Sequence, residues 1–195
     1  MPRWEPHAKE RLELAALDLY ATRGYDATTI GDVAARAGVT SRTYFRYFPD
    51  KREVLFGGAD ELRDRISRSL RDAPADMPPL AAALHAMGAC EDLYHPREHG
   101  RLRRRDAVIG TSGELQEREA RKLASIAAVV AGGLVERGVD PDGARLVADL
   151  ALVAFKRAAR LWMDDPATPY AVLLHRAAAQ ARGVLTAQTR DAAMQ

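Results

Sequence analysis

The chain has 195 residues, of which 47% are hydrophobic and 29% charged, and its formal net charge is +2. These values are ordinary for a globular protein and provide no bulk basic surface, so any affinity for nucleic acid must come from local placement of charge. The single cysteine, Cys90, excludes an internal disulfide and fits a reducing cytoplasm. No apolar run approaches the roughly 18–20 residues of a membrane span, and the opening MPRWEPHAKE lacks the apolar core of an export signal. We therefore expect a cytoplasmic protein of one or two small domains, without a membrane segment.

Abundant alanine and few aromatic residues favour close-packed helices over a sheet. The first predicted helix runs from about His7 to Arg23, because apolar residues recur there at helical spacing. Gly24 follows as a natural C-terminal stop.

Residues 28–51, TTIGDVAARAGVTSRTYFRYFPDK, predict two short helices joined by a tight turn. The first of them spans about Thr29 to Ala37, with either Thr28 or Thr29 as its cap. Thr29 and Asp32 have the spacing of a capping box, with Asp in place of the usual Glu. Gly38 supplies the turn, because a side chain is disfavoured at positive φ.

The following helix, which we call the reader helix, begins at Thr40 or Ser41 and ends near Tyr47, because the residue before Pro49 avoids the α region. Its inward side carries apolar and aromatic groups: Val39, Tyr44 and Phe48. Its outward side carries hydroxyl, guanidinium and aromatic groups: Ser41, Arg42, Phe45 and Arg46. Arginine binds guanine or phosphate, hydroxyls reach either, and an aromatic ring contacts a thymine methyl. The pattern therefore predicts a helix-turn-helix whose second helix enters the major groove of DNA.

The same stretch resembles the DNA-binding signature of the TetR (tetracycline repressor) family. The resemblance covers about a quarter of the chain and rests on Leu12–Tyr20, Gly24, Tyr25, Ala27–Ile30, Val33, Ala34, Ala37–Val39, Thr43, Tyr47, Phe48 and Lys51. It implies a dimeric, ligand-responsive transcriptional repressor. Two positions depart from the family pattern, since Tyr44 stands where Leu is usual and Phe45 where Tyr is usual. The phosphate contact commonly made by that tyrosine hydroxyl is thereby replaced with an apolar one.

The predicted DNA-contacting residues lie on the reader helix and its flanks: Thr28, Thr29, Thr40, Ser41, Arg42, Phe45, Arg46, Tyr47 and Lys51. Lys51 falls in the first turn of a fourth predicted helix, where its ammonium can meet a phosphate beside the groove. The partner implied is a pseudo-palindromic double-stranded operator. In the N-terminal arm, Trp4 is expected to fold back onto the first helices. The alternative is an arm in which Arg3 enters a minor groove.

The fourth predicted helix opens with a capping box at Asp50–Glu53 and continues to about Arg71, across the pair Gly57-Gly58. The proline-rich segment 73–79 then marks a loop. Five more helices are predicted over about 80–94, a short basic stretch to 109, 112–137, 141–163 and 169–185. The expected fold is therefore all-α with nine helices. It comprises a helix-turn-helix DNA-binding unit (1–52) and a ligand-binding and dimerisation bundle (53–195).

The last two predicted helices are apolar around much of their surface and need cover on more than one side. Pairing them with the same helices of a second chain gives a four-helix interface, as the family resemblance implies. A two-fold dimer also presents two reader helices to successive major grooves. The alternative is ordinary core within one chain. The predicted interface residues are Leu146, Leu150, Val153, Leu161, Leu174, Ala178, Ala181 and Leu185.

A small-molecule pocket is expected in the bundle after the proline-rich loop, since apolar walls with a few polar groups make such a site. The candidate lining residues are Leu84, His85, Met87, Gly88, Tyr94, Ile109, Phe155, Trp162 and Met163. The alternative for each of them is plain core.

The segment His95–His99 matches H-x-x-E-H, an inverted zinc-protease motif. That chemistry needs both histidines on one face of a regular helix, and Pro96 and Gly100 favour a solvated loop instead. A looser metal site would draw on His85, Cys90, His95 and His99. Cys90 alone is typical of a small buried hydrophobe. Since no nucleophile–base pair, phosphate loop or dinucleotide motif appears, no catalytic residue, cofactor or resident metal is predicted.

The basic run Arg101–Arg105 has the composition of a solvated face. The alternative is a helix that contacts the DNA-binding unit, forms a salt bridge to the first or fourth helix and passes on ligand-induced motion.

Taken together, the sequence predicts a homodimeric repressor, not an enzyme, that leaves its operator when a small apolar molecule fills the second region. One alternative is a DNA-binding dimer that needs no small molecule and acts through a protein partner. Another is a metal-responsive regulator or metal-dependent hydrolase built on His95–His99.

Overall fold

A computed structural model describes residues 7–192, with side chains to residue 184. Its described part forms nine α-helices and no strand, which confirms the all-α prediction. In chain order the helices are α1 (Ala8–Arg23), α2 (Ile30–Arg36), α3 (Ser41–Tyr47), α4 (Ala59–Asp72), α5 (Pro79–Gly88), α6 (His99–Gly110), α7 (Gly113–Glu136), α8 (Pro141–Asp164) and α9 (Tyr170–Ala192). Three short 3-10 turns lie between them: Glu53–Leu55, Glu91–Tyr94 and Pro96–Glu98. None of the helices described here is long and apolar enough to cross a membrane.

The chain divides into two compact units. The first unit comprises the described residues up to 60 together with Gly100–Arg121, so α6 and the first turns of α7 belong with α1, α2 and α3. The second unit comprises Glu61–His99 and the described residues from Lys122 onward.

Side-chain caps fix where α2 and α3 begin. Thr29 Oγ1 accepts the Asp32 N–H at 3.1 Å and Asp32 Oδ2 accepts the Thr29 N–H at 2.8 Å, which confirms the predicted capping box. The hydroxyl and then the N–H of Thr29 hold the pKa of the Asp32 carboxyl below its ordinary value. Thr40 caps α3 by accepting the Thr43 N–H at 3.2 Å. Gly38 makes the turn between them with φ of 69°, a conformation that favours glycine.

The core of the first unit joins all of its helices. Leu12 of α1, Val33 of α2 and Tyr44 of α3 are fully buried in it. Val108 and Ile109 of α6 are buried in the same cluster, together with Leu115 of α7. The α6–α7 corner is therefore part of the support beneath the helix-turn-helix.

The predicted fourth helix is interrupted, which corrects the sequence-based boundaries. A 3-10 turn spans Glu53–Leu55, and α4 begins only at Ala59. Gly58 has φ of 87°, which breaks the helix. A Cβ on Gly57 would lie 2.5 Å from Glu13 Oε1 and 3.3 Å from Phe48 Cε1, so a glycine also permits close packing there.

The second unit packs α5 and α9 against α8. The helix predicted for residues 80–94 is shorter in the structure, because α5 ends at Gly88 and the Glu91–Tyr94 turn follows. Glycine is a poor helix former, and this change of direction brings Tyr94 against the ring of Tyr170.

Helices α4 and α7 approach closely near the end of α4. The Arg137 guanidinium donates to the carbonyl oxygens of Leu70 (3.3 Å), Ala73 (2.9 Å) and Pro74 (2.5 Å), which satisfies groups left free at a helix C-terminus. One turn earlier on α7, Gly133 faces the side chain of Leu70, and a Cβ added to it would lie 2.5 Å from Leu70 Cδ2.

Candidate functional site

Helix α3 separates a buried side from an exposed one, as predicted. Tyr44 and Phe48 are buried in the first unit. Ser41, Arg42 and Arg46 are exposed. Phe45 is also 55% exposed, although its side chain is apolar. An exposed helix face with hydroxyl, guanidinium and phenyl groups offers hydrogen-bond donors and an apolar contact at the same place.

Two tyrosine hydroxyls hold the end of α3. The Tyr44 hydroxyl donates to the carbonyl oxygens of Asp50 (3.1 Å) and Lys51 (3.2 Å), and the Tyr20 hydroxyl donates to the same Lys51 carbonyl at 2.9 Å. Burial is the main reason that the pKa of both hydroxyls lies well above its ordinary value. The departure at position 44 thus supplies hydrogen bonds that a leucine would lack.

Lys51 lies half-buried beside the reader helix. Its Nζ is 4.0 Å from the centroid of the Tyr25 ring, a cation–π geometry that orients the ammonium. Burial, and then the charge of Glu114, raise the pKa of Tyr25 to about 12. On α3 itself, Arg46 lies over the Tyr47 ring at 4.9 Å and donates to its hydroxyl at 3.0 Å.

The three predicted threonines differ in what their hydroxyls do. Thr28 is buried, and its hydroxyl donates to the Gly24 carbonyl at 2.8 Å, so this group braces the turn after α1. Thr29 and Thr40 are exposed, and each accepts a backbone N–H as a helix cap. Only Thr29 and Thr40 of this set therefore stand on the surface.

The basic helix α6 contacts the N-terminal helices, which agrees with the alternative interpretation of the basic run rather than with a fully solvated face. Arg101 forms a salt bridge with Glu13 of α1 at 3.6 Å. Arg105 donates to the Leu55 carbonyl at 2.8 Å and to Glu119 at 2.8 Å. Arg103 and Arg104 remain exposed, so that part of the run is a solvated face.

Phe56, just before the Gly58 break, is within cation–π distance of two guanidinium groups. The Arg105 and Arg118 guanidinium carbons are 5.0 and 4.9 Å from its ring centroid. Arg118 also binds Glu53 through both of its carboxylate oxygens. Sequence analysis missed these pairs because the partners are far apart along the chain. The 53–58 segment is therefore held from α6 and α7.

Comparison with known proteins matches residues 14–56 to the family described as bacterial regulatory proteins, tetR family. Within these residues, which include α2 and α3, the chain is similar to that family. It is 33% identical over 106 residues to the HTH-type transcriptional repressor Rv3405c of Mycobacterium tuberculosis, covering 54% of this chain and 56% of that protein. The match thus spans about half the length of that relative.

Solved structures extend the likeness over most of the chain. A transcriptional regulator from Rhodococcus sp. Rha1 is 26% identical, with a TM-score of 0.51 and coverage of 92% of this chain and 96% of that one. The SmeT–triclosan complex is 17% identical, with a TM-score of 0.61 and coverage of 89% and 90%. The latter likeness concerns the fold alone.

In the second unit, an aromatic cluster, which we define as Tyr94, His99, Phe155, Trp162 and Tyr170, contains three of the predicted pocket residues, and Met163 lies beside it. The Tyr94 and Tyr170 rings stack in parallel with centroids 3.8 Å apart. Tyr94 also meets Trp162 edge-on at 5.4 Å and Phe155 at 6.2 Å. His99 Nε2 lies 2.9 Å from the carbonyl oxygen of Met163. Tyr170 and His99 were absent from the predicted set, since neither stands out by spacing.

The remaining predicted pocket residues differ in their exposure, and one of them, Gly88, is half-buried at the end of α5. Leu84 and Met87 are buried on α5, whereas His85 is exposed and lines an open surface depression with Arg65 and Asp92. Ile109 belongs to the core of the first unit, so it does not join the aromatic cluster.

The Trp162 indole is fully buried, and its N–H has no hydrogen-bond partner among the described residues. Leaving a buried donor unpaired costs about 1–3 kcal/mol. Beside the cluster, Cys90 is also fully buried, and burial raises the pKa of its thiol to about 12.

The H-x-x-E-H segment does not form a regular helix. His95 caps the Pro96–Glu98 turn by accepting the Arg97 N–H at 3.2 Å, and His99 starts α6. In the described part of the chain, no group of three His, Cys, Asp or Glu side chains is placed to hold a metal ion.

The predicted interface residues divide between surface and core. Leu146 and Val153 of α8 are 62% and 57% exposed. Leu150, Leu161 and Ala181 are half-buried. Leu174 and Ala178 are buried within the chain's own α8–α9 packing. The side chain of Leu185, like Trp4 and Arg3 of the arm, lies outside the described residues.

Proposed function

We propose that this protein is a homodimeric, DNA-binding transcriptional repressor that a small molecule releases from its operator. The observation that carries the proposal is the exposed face of α3, where Arg42 and Phe45 stand outward while Tyr44 and Phe48 anchor the helix. The mycobacterial relative is named a transcriptional repressor, which supports the same role for this chain.

Contacts to DNA divide into reading and positioning groups. Arg42 donates to a guanine edge, and Phe45 contacts a thymine methyl. Lys51, held over Tyr25, binds a phosphate beside the groove. The cap of α3 places Thr40 near the DNA backbone, where its hydroxyl can donate to a phosphate oxygen. The Thr29 hydroxyl already donates to Asp32 Oδ2 at 2.6 Å.

The dimer forms through α8 and α9. Leu146 and Val153 lie at helical spacing on an exposed side of α8, with the half-buried Leu150 between them. Exposed leucine and valine in one stripe are costly to hydrate, and a second copy of the same face covers them. Two-fold pairing then sets the separation of the two reader helices.

Release by a small molecule follows from a shift between two forms of the dimer. The effector must bind one form more tightly than the other, since equal affinity shifts nothing. The SmeT structure is named as a complex with triclosan, which supports a small apolar molecule as the class of effector. The chain runs from the second unit into α6 at His99, and Arg105 of α6 holds the Leu55 carbonyl next to the Gly58 break.

The test is fluorescence anisotropy of the purified protein on DNA from its own upstream region, against a scrambled duplex, at physiological salt. We expect tighter binding to the upstream DNA, with two chains per duplex. Equal, salt-erased binding to both duplexes would contradict the operator proposal for that region. Small apolar compounds would then be added one at a time to the protein–DNA complex, and a fall in anisotropy would show release. If the protein is instead a DNA-binding dimer that needs no small molecule, no compound should release it.

A further inference from the structure

The unused hydrogen-bond donor of Trp162 points to a ligand. Its indole is fully buried and its N–H has no partner among the described residues. Neighbouring polar atoms do have partners, because the Tyr170 hydroxyl donates to the Phe155 carbonyl at 3.3 Å and His99 lies 2.9 Å from the Met163 carbonyl. Buried polar groups are nearly always hydrogen-bonded. An acceptor from outside the chain would therefore complete this site.

The Tyr94 ring lies against Trp162 and Tyr170, where a ligand that brings an acceptor to the Trp162 N–H would bind. Its ring stacks on Tyr170 at 3.8 Å, with an angle of 4° between the planes, and meets Trp162 edge-on at 5.4 Å. Unlike its partners on α8 and α9, it is carried by the short Glu91–Tyr94 turn and is only half-buried. A ring supplied by a short surface segment is easier to displace than one fixed in a long helix.

We propose that Trp162 donates its indole N–H to the effector, and that the effector is a flat, uncharged aromatic molecule with a carbonyl or ether oxygen at its edge. This inference rests on the proposed function, since it names the chemical class that the effector site takes. The effector ring replaces Tyr94 on the face of Tyr170, and its oxygen accepts the Trp162 N–H. A ring without an acceptor gains the stacking but leaves the donor unpaired.

Charge argues for a neutral effector. Aromatic faces attract cations, but the N–H edge of Trp162 carries positive partial charge, and this N–H has no acceptor in the described part of the chain. A cation at that edge would be repelled and would still leave the donor unpaired.

Displacing Tyr94 also has a regulatory consequence. The segment that carries it leads through the Pro96–Glu98 turn directly into α6, which starts at His99. His99 itself meets Trp162 edge-on at 5.2 Å. Effector binding therefore acts on the start of the helix whose Arg105 holds the Leu55 carbonyl.

The experiment uses two probes of one shape, acetylnaphthalene and ethylnaphthalene substituted at the same ring position. Only the first carries an acceptor. The chain has two tryptophans, so Trp4→Phe leaves Trp162 as the sole tryptophan, whose emission is excited selectively at the red edge of the indole absorption. We expect equilibrium dialysis to show about tenfold tighter binding of acetylnaphthalene than of ethylnaphthalene, with a change in Trp162 emission on binding.

Two variants in the Trp4→Phe background locate the effect. Trp162→Phe keeps an aromatic ring without the N–H and should bring the affinity ratio of the probes to about one. Tyr94→Ala removes the internal competitor while keeping the donor, and should tighten both probes with the ratio preserved. The second variant keeps the test valid if Trp162→Phe does not fold.

Several outcomes would overturn the inference. They are equal affinity for the two probes, no binding of either at millimolar concentration, preference for a naphthyl trimethylammonium probe, or a ratio that survives Trp162→Phe. Operator binding of the same preparations, measured without probe, tests the proposed function separately. Loss of probe discrimination with intact operator binding therefore refutes only the effector assignment.

Discussion

Arg42 is the exposed guanidinium on α3 that we assign to base reading. Arg42→Ala should weaken binding to the preferred operator by roughly 1–3 kcal/mol and leave binding to scrambled DNA nearly unchanged. Anisotropy titrations on the two duplexes measure both quantities. Arg103→Ala is the matched control, because it removes the same charge from an exposed site on α6. An unaltered preference between the duplexes in Arg42→Ala would exclude Arg42 as a reading residue.

Lys51 is assigned to the DNA backbone rather than to a base. Lys51→Ala should weaken all duplexes alike and reduce the slope of log affinity against log salt by about one, since one phosphate contact is lost. Titrations over a series of salt concentrations give that slope. A slope equal to that of the unmodified protein would show that the ammonium over Tyr25 has a purely structural role.

The Tyr44 hydroxyl contributes to stability through the Asp50 and Lys51 carbonyls. Tyr44→Phe keeps the ring and should lower the free energy of unfolding by about 1 kcal/mol. Urea denaturation measures the change. Tyr47→Phe is the control on the same helix, because that hydroxyl only accepts from the exposed Arg46, and its effect should be close to zero.

The same hydroxyl makes stability depend on alkaline pH. Burial raises the pKa of Tyr44 in the folded state above the ordinary 10.0, so above pH 10.0 the unfolded chain loses a proton that the folded chain keeps. The contribution of Tyr44 to the free energy of unfolding should therefore be constant below that pH and fall as pH rises further. Tyr44→Phe should make this fall shallower. An equally steep fall in the variant would assign it to other groups, such as Tyr20.

Single residues were predictable from sequence where their partners are close along the chain. The Thr29–Asp32 capping box is such a case, because both partners lie within one turn. The burial of Thr28 and the hydroxyl contacts of Tyr44 were not predictable, because they depend on where α1 and the segment after α3 lie in space.

At the scale of the helix, two adjacent glycines on α7 have opposite roles. Gly132 has open space around a Cβ, whereas a Cβ on Gly133 would meet the fully buried Leu70. Gly132→Ala should stabilise the protein by about 1 kcal/mol through helix propensity. Gly133→Ala should destabilise it by about 1–3 kcal/mol through overpacking.

Thermal or urea unfolding of the two alanine variants checks this pair, each serving as the control for the other. Equal stabilisation by both would mean that α4 and α7 are free to separate at Leu70.

Helix boundaries were predictable where the sequence has a capping residue, a glycine stop or a proline at the first helical position. Helix α1 ends before Gly24 and helix α8 begins at Pro141, as predicted. The break before α4 was not predicted, since a glycine pair in a helical pattern is ambiguous until φ is known. The tie between Glu53 and Arg118 was likewise inaccessible, because the partners belong to different helices.

At the scale of the whole molecule, the proposed dimer depends on the exposed stripe of α8. Replacing Leu146 and Val153 together with Glu places charge where the second copy would pack, and should yield monomers. Analytical ultracentrifugation reports the oligomeric state, and specific operator binding should be lost with the dimer. Leu14→Glu, a change at an exposed leucine of α1, should leave the state unaltered. A dimer that persists in the double variant would place the interface elsewhere.

The order of helices along the chain does not reveal which of them pack together. Nine helices and an all-α fold followed from periodicity and punctuation. The grouping of Gly100–Arg121 with the N-terminal helices did not, because it rests on contacts such as Arg105 to Leu55 between distant segments. The exposed side of α3 was predictable because an amphipathic helix shows its two sides directly in sequence. The aromatic cluster, in contrast, depends on rings from four separate segments.

Because Cys90 is buried, the rate at which its thiol reacts measures how often the second unit opens transiently. A thiol that is fully covered, with a pKa raised to about 12, reacts with a disulfide reagent only while the surrounding core is open. Because the chain has one cysteine, the release of coloured thiolate counts those openings at a single place. Its rate would report how strongly any bound molecule holds this half of the protein closed, with no need for a label.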